Sequence, residues 1–230
     1  MTTHSHFMSK NNPEPKIGIA CELLGLEGGP VKRCSPGLSR IHRRPSVYAN
    51  NEVAVVSTGI RKAFASAAVR HLIETYPSIR DLIHIGFAGS LDGKKFPKGK
   101  VLLGRSVRTC EPDAKKIELE ESMKILEEVR AETAAIVSVD QFITGKTDPA
   151  LLAELREQGD VVDMEACLTA QTCLEHKVTP HVLKLVSDVI REGRSGIWQA
   201  LGLPGALLTR KNMDPVFSEM LTAIQEYRRT

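Results

Sequence analysis

The sequence predicts a single α/β domain with a mixed central β-sheet flanked by α-helices. Short apolar runs alternate along the chain with amphipathic stretches, a pattern that also predicts a largely parallel sheet. Two Asp-Pro pairs mark helix starts. The 230 residues, 42% of them hydrophobic and 26% charged, suffice for one compact domain with one large core.

In chain order, residues 1–15 read as a flexible polar tail containing His4 and His6, and residues 16–230 as the domain. Strands are expected at 17–21, 53–57, 82–85, 101–104, 134–139, 161–163 and 182–186. Residues 25–51 read as the least regular loop, and its basic run of Lys32, Arg33, Arg40, His42, Arg43 and Arg44 as a solvated face. The stretch AFASAAVRHLIETY spaces Phe64, Ala68, Leu72 and Tyr76 one turn apart and so predicts a helix packed on the sheet. Asp148-Pro149 and Asp214-Pro215 each place a capping acceptor ahead of a proline suited to a first turn. The second opens PVFSEMLTAIQEYRR, where Phe217, Met220, Leu221 and Ile224 predict a helix closing the domain.

Composition narrows the function classes. The 31 Lys+Arg nearly balance 28 Asp+Glu, and aromatic residues are only 4%, which argues against nucleic acid as partner. Five cysteines without CxxC spacing predict neither a disulfide framework nor a zinc site, and fit a reduced cytoplasmic setting. No stretch approaches a membrane span. Gly145-Lys146-Thr147 resembles the end of a phosphate-binding loop, but Asp140 stands where that motif needs glycine. Gly86, Gly89 and Gly93 lack dinucleotide spacing. No cofactor and no metal are therefore expected.

Ligands of open α/β sheets bind beyond the carboxyl ends of strands, so polar residues directly after apolar runs are site candidates. Three places qualify: VSVDQFI with Asp140, Gln141 and Phe142; VVDMEA with Asp163, Met164 and Glu165; and LKLVSDV with Ser187 and Asp188. Each alone also reads as a helix N-cap.

Together with the opening KIGIA, STGIRKAFASAA and the Gly-rich IGFAGSLDG, these segments resemble the nucleoside phosphorylase and nucleosidase superfamily, and within it the 5'-methylthioadenosine/S-adenosylhomocysteine nucleosidases. The resemblance runs from about Lys16 to Val189; the segment WQALGLPGALLTRKNMD departs from it. It implies hydrolysis of a purine nucleoside, with a 5'-modified adenine nucleoside as substrate. Asp188 falls at the position of the acid that protonates purine N7, and Ser187 would orient it. Glu165 would accept hydrogen bonds from the ribose hydroxyls, with Met164 below the sugar and Asp163 beside it in the substrate site. Phe142 corresponds to the ring that stacks on the base, although core packing explains a phenylalanine there equally well, and the Ile143 backbone would read the purine edge. The water-activating base is a glutamate after the first strand; Glu27 is nearer the expected position and Glu22 is the other choice.

Phosphorylases of the superfamily carry an arginine and a serine at positions that here read His84 and Phe87, leaving Arg61 to restore an anion site. Water is thus expected as acceptor, with phosphate the alternative. A non-catalytic nucleoside binder is a further alternative. The resemblance also implies a homodimer.

Overall fold

The computed structural model describes residues 14–21, 28–59, 62–111, 113–120, 131–191 and 209–229, together with 124 and 129. The expectations placed on residues 1–13 of the tail, on Glu22, Glu27 and Arg61, and on residues 198–208 of the atypical segment WQALGLPGALLTRKNMD lie outside these residues.

Strands β1 (Ile17–Cys21), β2 (Ser39–Arg43), β3 (Ser46–Ala49), β4 (Val53–Ser57), β5 (Asp81–Ser90), β6 (Val101–Thr109), β7 (Ile117–Glu118), β8 (Glu132–Ser138), β9 (Val161–Asp163) and β10 (Thr179–Val189) join in one sheet. Its order is β10-β6-β8-β9-β5-β1-β4-β3-β2, and β10 also pairs with β5. Strands β5, β10, β6, β8 and β9 therefore close a ring, from which β1, β4, β3 and β2 extend as a wing. The pairing is mixed rather than largely parallel. β1 runs parallel to β4 and β5, and β5 to β10, whereas β6 meets β10, and β9 meets β5, antiparallel.

Ring closure explains why three strands outrun their expected ends. β5 and β10 stay paired with each other through Ser90 and Val189, and β6 with β8 through Thr109, well past the apolar runs that reveal them, so the Gly-rich GFAGS is strand. Small residues make this possible. A Cβ at Gly89 would stand 3.0 Å from the Ile190 side chain, and one at Gly93 would overlap Val189.

The supposed loop 25–51 contains helix α1 (Gly28–Cys34) and the β2–β3 hairpin. The hairpin was hidden because only Val47 and Ala49 turn inward, against β4, while every residue of β2 is exposed. β2 ends the sheet, and Arg40, His42 and Arg43 on it discourage further strand pairing.

Helix α2 (Lys62–Thr75) covers one face of the wing through Ala65, Ala68, Val69, Leu72 and Ile73. Phe64 lies off that stripe and is 62% exposed, contrary to the expectation that it packs on the sheet. Helix α3 (Pro149–Gln158) starts as expected, with Asp148 accepting from Ala150 N at 2.7 Å and Leu151 N at 3.4 Å. Helix α4 (Ala166–Glu175) packs Ala166, Cys167 and Ala170 against the ring, among Leu102, Val182 and Val186. A short π-helical turn (Thr209–Met213) leads into α5 (Asp214–Tyr227), whose Phe217, Met220, Leu221 and Ile224 enter the core shared with β1, β4 and β5. Asp214 is not its cap: it lies inside the first turn and accepts from Arg33 Nη2 of α1 at 2.8 Å.

Candidate active site

One row of cross-strand neighbours builds the site. Asp188 on β10 pairs with Gly89 on β5, Gly89 with Val162 on β9, and Val162 with Val137 on β8. The segments SVDQFI, VDMEA and SDV, far apart in the chain, are therefore drawn to one level of the ring, with β5 between SDV and VDMEA.

Ser187 and Asp188 lie within β10, not after it, at a β-bulge between Val186 and Asp188. A bulge re-aims the side chain that follows it. Asp188 is half-buried, and burial pushes its carboxyl above the ordinary aspartate range. The Ser187 hydroxyl, 2.7 Å from Asp188 Oδ1, and the charge of Lys98 pull it partly back. The same hydroxyl has the Ala88 carbonyl oxygen as second acceptor at 3.3 Å. The pair thus has an oriented carboxyl whose proton is retained more readily than in water.

Beside it, the turn from β9 into α4 carries Asp163, Met164 and Glu165. Asp163 is wholly buried. Its Oδ1 accepts from Ser138 Oγ at 2.6 Å, and its Oδ2 is ion-paired with Lys184 Nζ at 2.7 Å and accepts from Ala166 N at 2.8 Å. Burial opposes the charged carboxylate, yet the Lys184 ammonium holds Asp163 below its ordinary range. Two hydrogen-bond donors and an ion-paired ammonium on a buried acid describe a structural anchor, so Asp163 performs the capping role while Glu165 holds the N-cap position with no side-chain capping bond. Glu165 is 1% exposed, and Met164 is half-buried between the two acids.

Phe142 is 58% exposed, so it is not packed in the core. Ile143 is buried among Val139, Leu152 and Val162, which seats the backbone next to Phe142. His84 is fully buried in β5, and burial, reinforced by Lys184, drops its pKa to about 3, so its ring is neutral. Neither it nor the partly buried Phe87, packed against the main core, offers charge to a phosphate.

Lys184 and Ser138 escaped the sequence reading. The signal for Lys184 was present: a lysine inside the apolar VLKLV of a central strand needs a buried anion. Ser138 has no comparable sequence mark. No helix among the described residues is long and apolar enough to cross a membrane.

Known proteins share this architecture. A 5'-methylthioadenosine/S-adenosylhomocysteine nucleosidase of Staphylococcus aureus is 24% identical over 196 residues, covering 76% of this chain and 85% of that protein. The solved structure of the same-named nucleosidase from Campylobacter jejuni superposes with a TM-score of 0.73 at 18% identity, covering 92% of this chain and 99% of its own. The futalosine hydrolase of Helicobacter pylori gives 0.71 at 17% identity, covering 93% and 99%. The phosphorylase superfamily profile matches residues 40–200, and with most of the chain so matched the protein belongs to the phosphorylase superfamily.

Proposed function

We propose that the protein hydrolyses the N-glycosidic bond between adenine and the sugar of a 5'-modified adenosine. What supports this reading is the row Asp188–Gly89–Val162–Val137: the oriented, proton-retaining Asp188 stands in it, and the chain reaches the buried Glu165 three residues after Val162 and the exposed Phe142 five residues after Val137. Cleavage leaves positive charge on the sugar and negative charge on the departing base. Asp188 gives its proton to purine N7, turning the base into a neutral leaving group, and Ser187 holds the carboxyl in place throughout. Glu165 accepts from the sugar hydroxyls, a bond that strengthens as the sugar becomes cationic. Phe142 stacks on the base, and the Ile143 backbone meets its edge. Water attacks the anomeric carbon and loses its proton to a glutamate, assigned to Glu27 with Glu22 as the other candidate.

Buried, neutral His84 favours water over phosphate. The protein works in this reading as a cytoplasmic homodimer. Free cysteines suit a reducing compartment, and exposed Phe64 suits burial against a second copy.

The test is release of free base across a panel of nucleosides, with and without phosphate. Adenine release from a 5'-modified adenosine at a rate indifferent to phosphate is expected. Strict phosphate dependence with formation of a sugar 1-phosphate would overturn the hydrolase reading, and binding without base release would make the protein a nucleoside binder. A monomeric mass by light scattering at micromolar concentration would reject the dimer.

A further inference from the structure

We infer that the buried Asp163–Lys184 pair, locked by Ser138, is the device that positions Glu165 for the sugar and ties it to the strand carrying Asp188. The inference rests on the reading of Glu165 as the sugar carboxylate.

A buried ion pair is weak evidence of stability, since apolar residues of the same volume often serve a core equally well. Its geometry shows what this pair holds. Both side chains are sealed from solvent. Asp163 Oδ2 joins Lys184 of β10 to the first backbone N–H of α4, and Asp163 Oδ1 joins Ser138 of β8. Ser138 Oγ in turn accepts from Cys167 N at 2.9 Å, so the network takes up the N–H groups of Ala166 and Cys167. The start of α4 is thereby fixed without the Glu165 carboxylate, which sits at the N-cap position but does not cap. Helix starts usually recruit a short polar side chain such as aspartate or serine, and glutamate is not among the favoured caps. Here the work passes to Asp163 and Ser138. Lys184 lies just ahead of the Ser187–Asp188 pair on the same strand, so one ammonium references the sugar carboxylate and the acid to a common frame.

The experiment compares Glu165→Gln, the double variant Asp163→Asn/Lys184→Met and Ser138→Ala with the parent, reading kcat, KM and binding of free adenine. The double variant removes both charges together and leaves no lone buried ion. It is expected to raise KM and lower kcat about 10-fold each, since small misplacements of reacting groups carry rate losses up to about 10²-fold. Adenine, which lacks the sugar, should bind within about twofold of the parent, as expected when only sugar contacts change. A merely structural pair would not produce that split. Should the double variant fail to fold, Ser138→Ala, which deletes one hydroxyl, is expected to raise KM by about tenfold with adenine binding unchanged, the low end for a hydrogen bond to a charged group. Parent-like kcat and KM in a folded double variant, or in Ser138→Ala, beside an impaired Glu165→Gln, would overturn the positioning role alone. Parent-like Glu165→Gln would remove the sugar-carboxylate reading and this inference with it.

Discussion

Along the paired strands β5 and β10 stand two buried aspartates with basic partners, Asp81 at the start of β5 and Asp163 of β9 against Lys184 of β10, and the two clusters differ in what they join. Where the strands begin, Asp81 accepts from Arg228 Nε at 2.7 Å and Nη2 at 2.9 Å, and from His181 Nε2 at 3.0 Å. Arg228 follows α5 and also donates to Thr179 Oγ1 at 3.1 Å. This cluster latches the C-terminal helix to the sheet. Toward the other end, Asp163 and Lys184 join strands to the turn that carries Glu165. The Arg228 side chain is 36% exposed and that of Lys184 not at all. Water can replace a lost partner in the first cluster and not in the second, so similar chemistry serves attachment at one end and orientation at the other.

The largest effect that separates the ends belongs to Asp188. Asp188→Asn keeps size and polarity but removes the transferable proton, and turnover should fall about 10²-fold or more while analogue binding changes little. The parent's kcat should decline as pH rises through the raised Asp188 pKa, because the acid must be protonated. The same shift fixes the stability sign. A carboxyl raised in the folded state disfavours folding once pH exceeds its unfolded value, with the full penalty above the folded value. Asp188→Asn should therefore be at least as stable as the parent at neutral pH by thermal melting. Full turnover in a folded Asp188→Asn would break the assignment of chemistry to this end.

Arg228→Ala tests the latch. Removing one partner of a fully buried pair costs about 3–5 kcal/mol, and the partial exposure of Arg228 lowers the expectation to about 2 kcal/mol. kcat per folded molecule should stay at the parent value. Burial works against the Asp81 carboxylate, but His181 and Arg228 hold it below its ordinary range. A depressed carboxylate contributes stability above its unfolded pKa and loses it as pH falls through the folded one. The parent should thus lose stability across that acid interval, and Arg228→Ala should show a shallower loss in urea melts at a series of pH values. Equal slopes would show that Arg228 does not stabilise the charged form.

The two ends were not equally legible in sequence. Apolar alternation marked strands as short as Val161–Asp163, because burial on both faces leaves an unbroken apolar run. It did not mark β2, which buries nothing, nor the continuation of β5 through GFAGS, which depends on partners distant in the chain. At the site, polar residues after apolar runs marked VDMEA and SDV as candidates, and the family resemblance singled out Glu165 and Asp188 within them. Asp163 caps the helix, and only Ser138 of β8 and Lys184 of β10, brought to it by the fold, distinguish it from Glu165. The latch was invisible. Asp81, His181 and Arg228 belong to segments whose proximity no local pattern encodes.

The smallest expected effect sharpens the division between binding and folding at the site end. Phe142 is 58% exposed, so Phe142→Ala removes little buried apolar surface and should leave the melting temperature within about 1 °C, as surface substitutions generally do. If the ring stacks on the base, its loss should weaken adenine binding by about 1 kcal/mol, the low end for base–aromatic stacking because one face of the base still meets the pocket wall. That is about a fivefold rise in the adenine dissociation constant. Phe142→Tyr, which keeps the ring, should restore binding to within about twofold, since stacking depends on the aromatic face rather than the substituent. The contrast with Glu165→Gln locates the ring on the base side, because that variant should spare adenine and weaken the nucleoside. Calorimetry with adenine decides the matter: unchanged affinity in a folded Phe142→Ala would remove the ring from the base site and leave it as exposed surface available to a second copy of the chain.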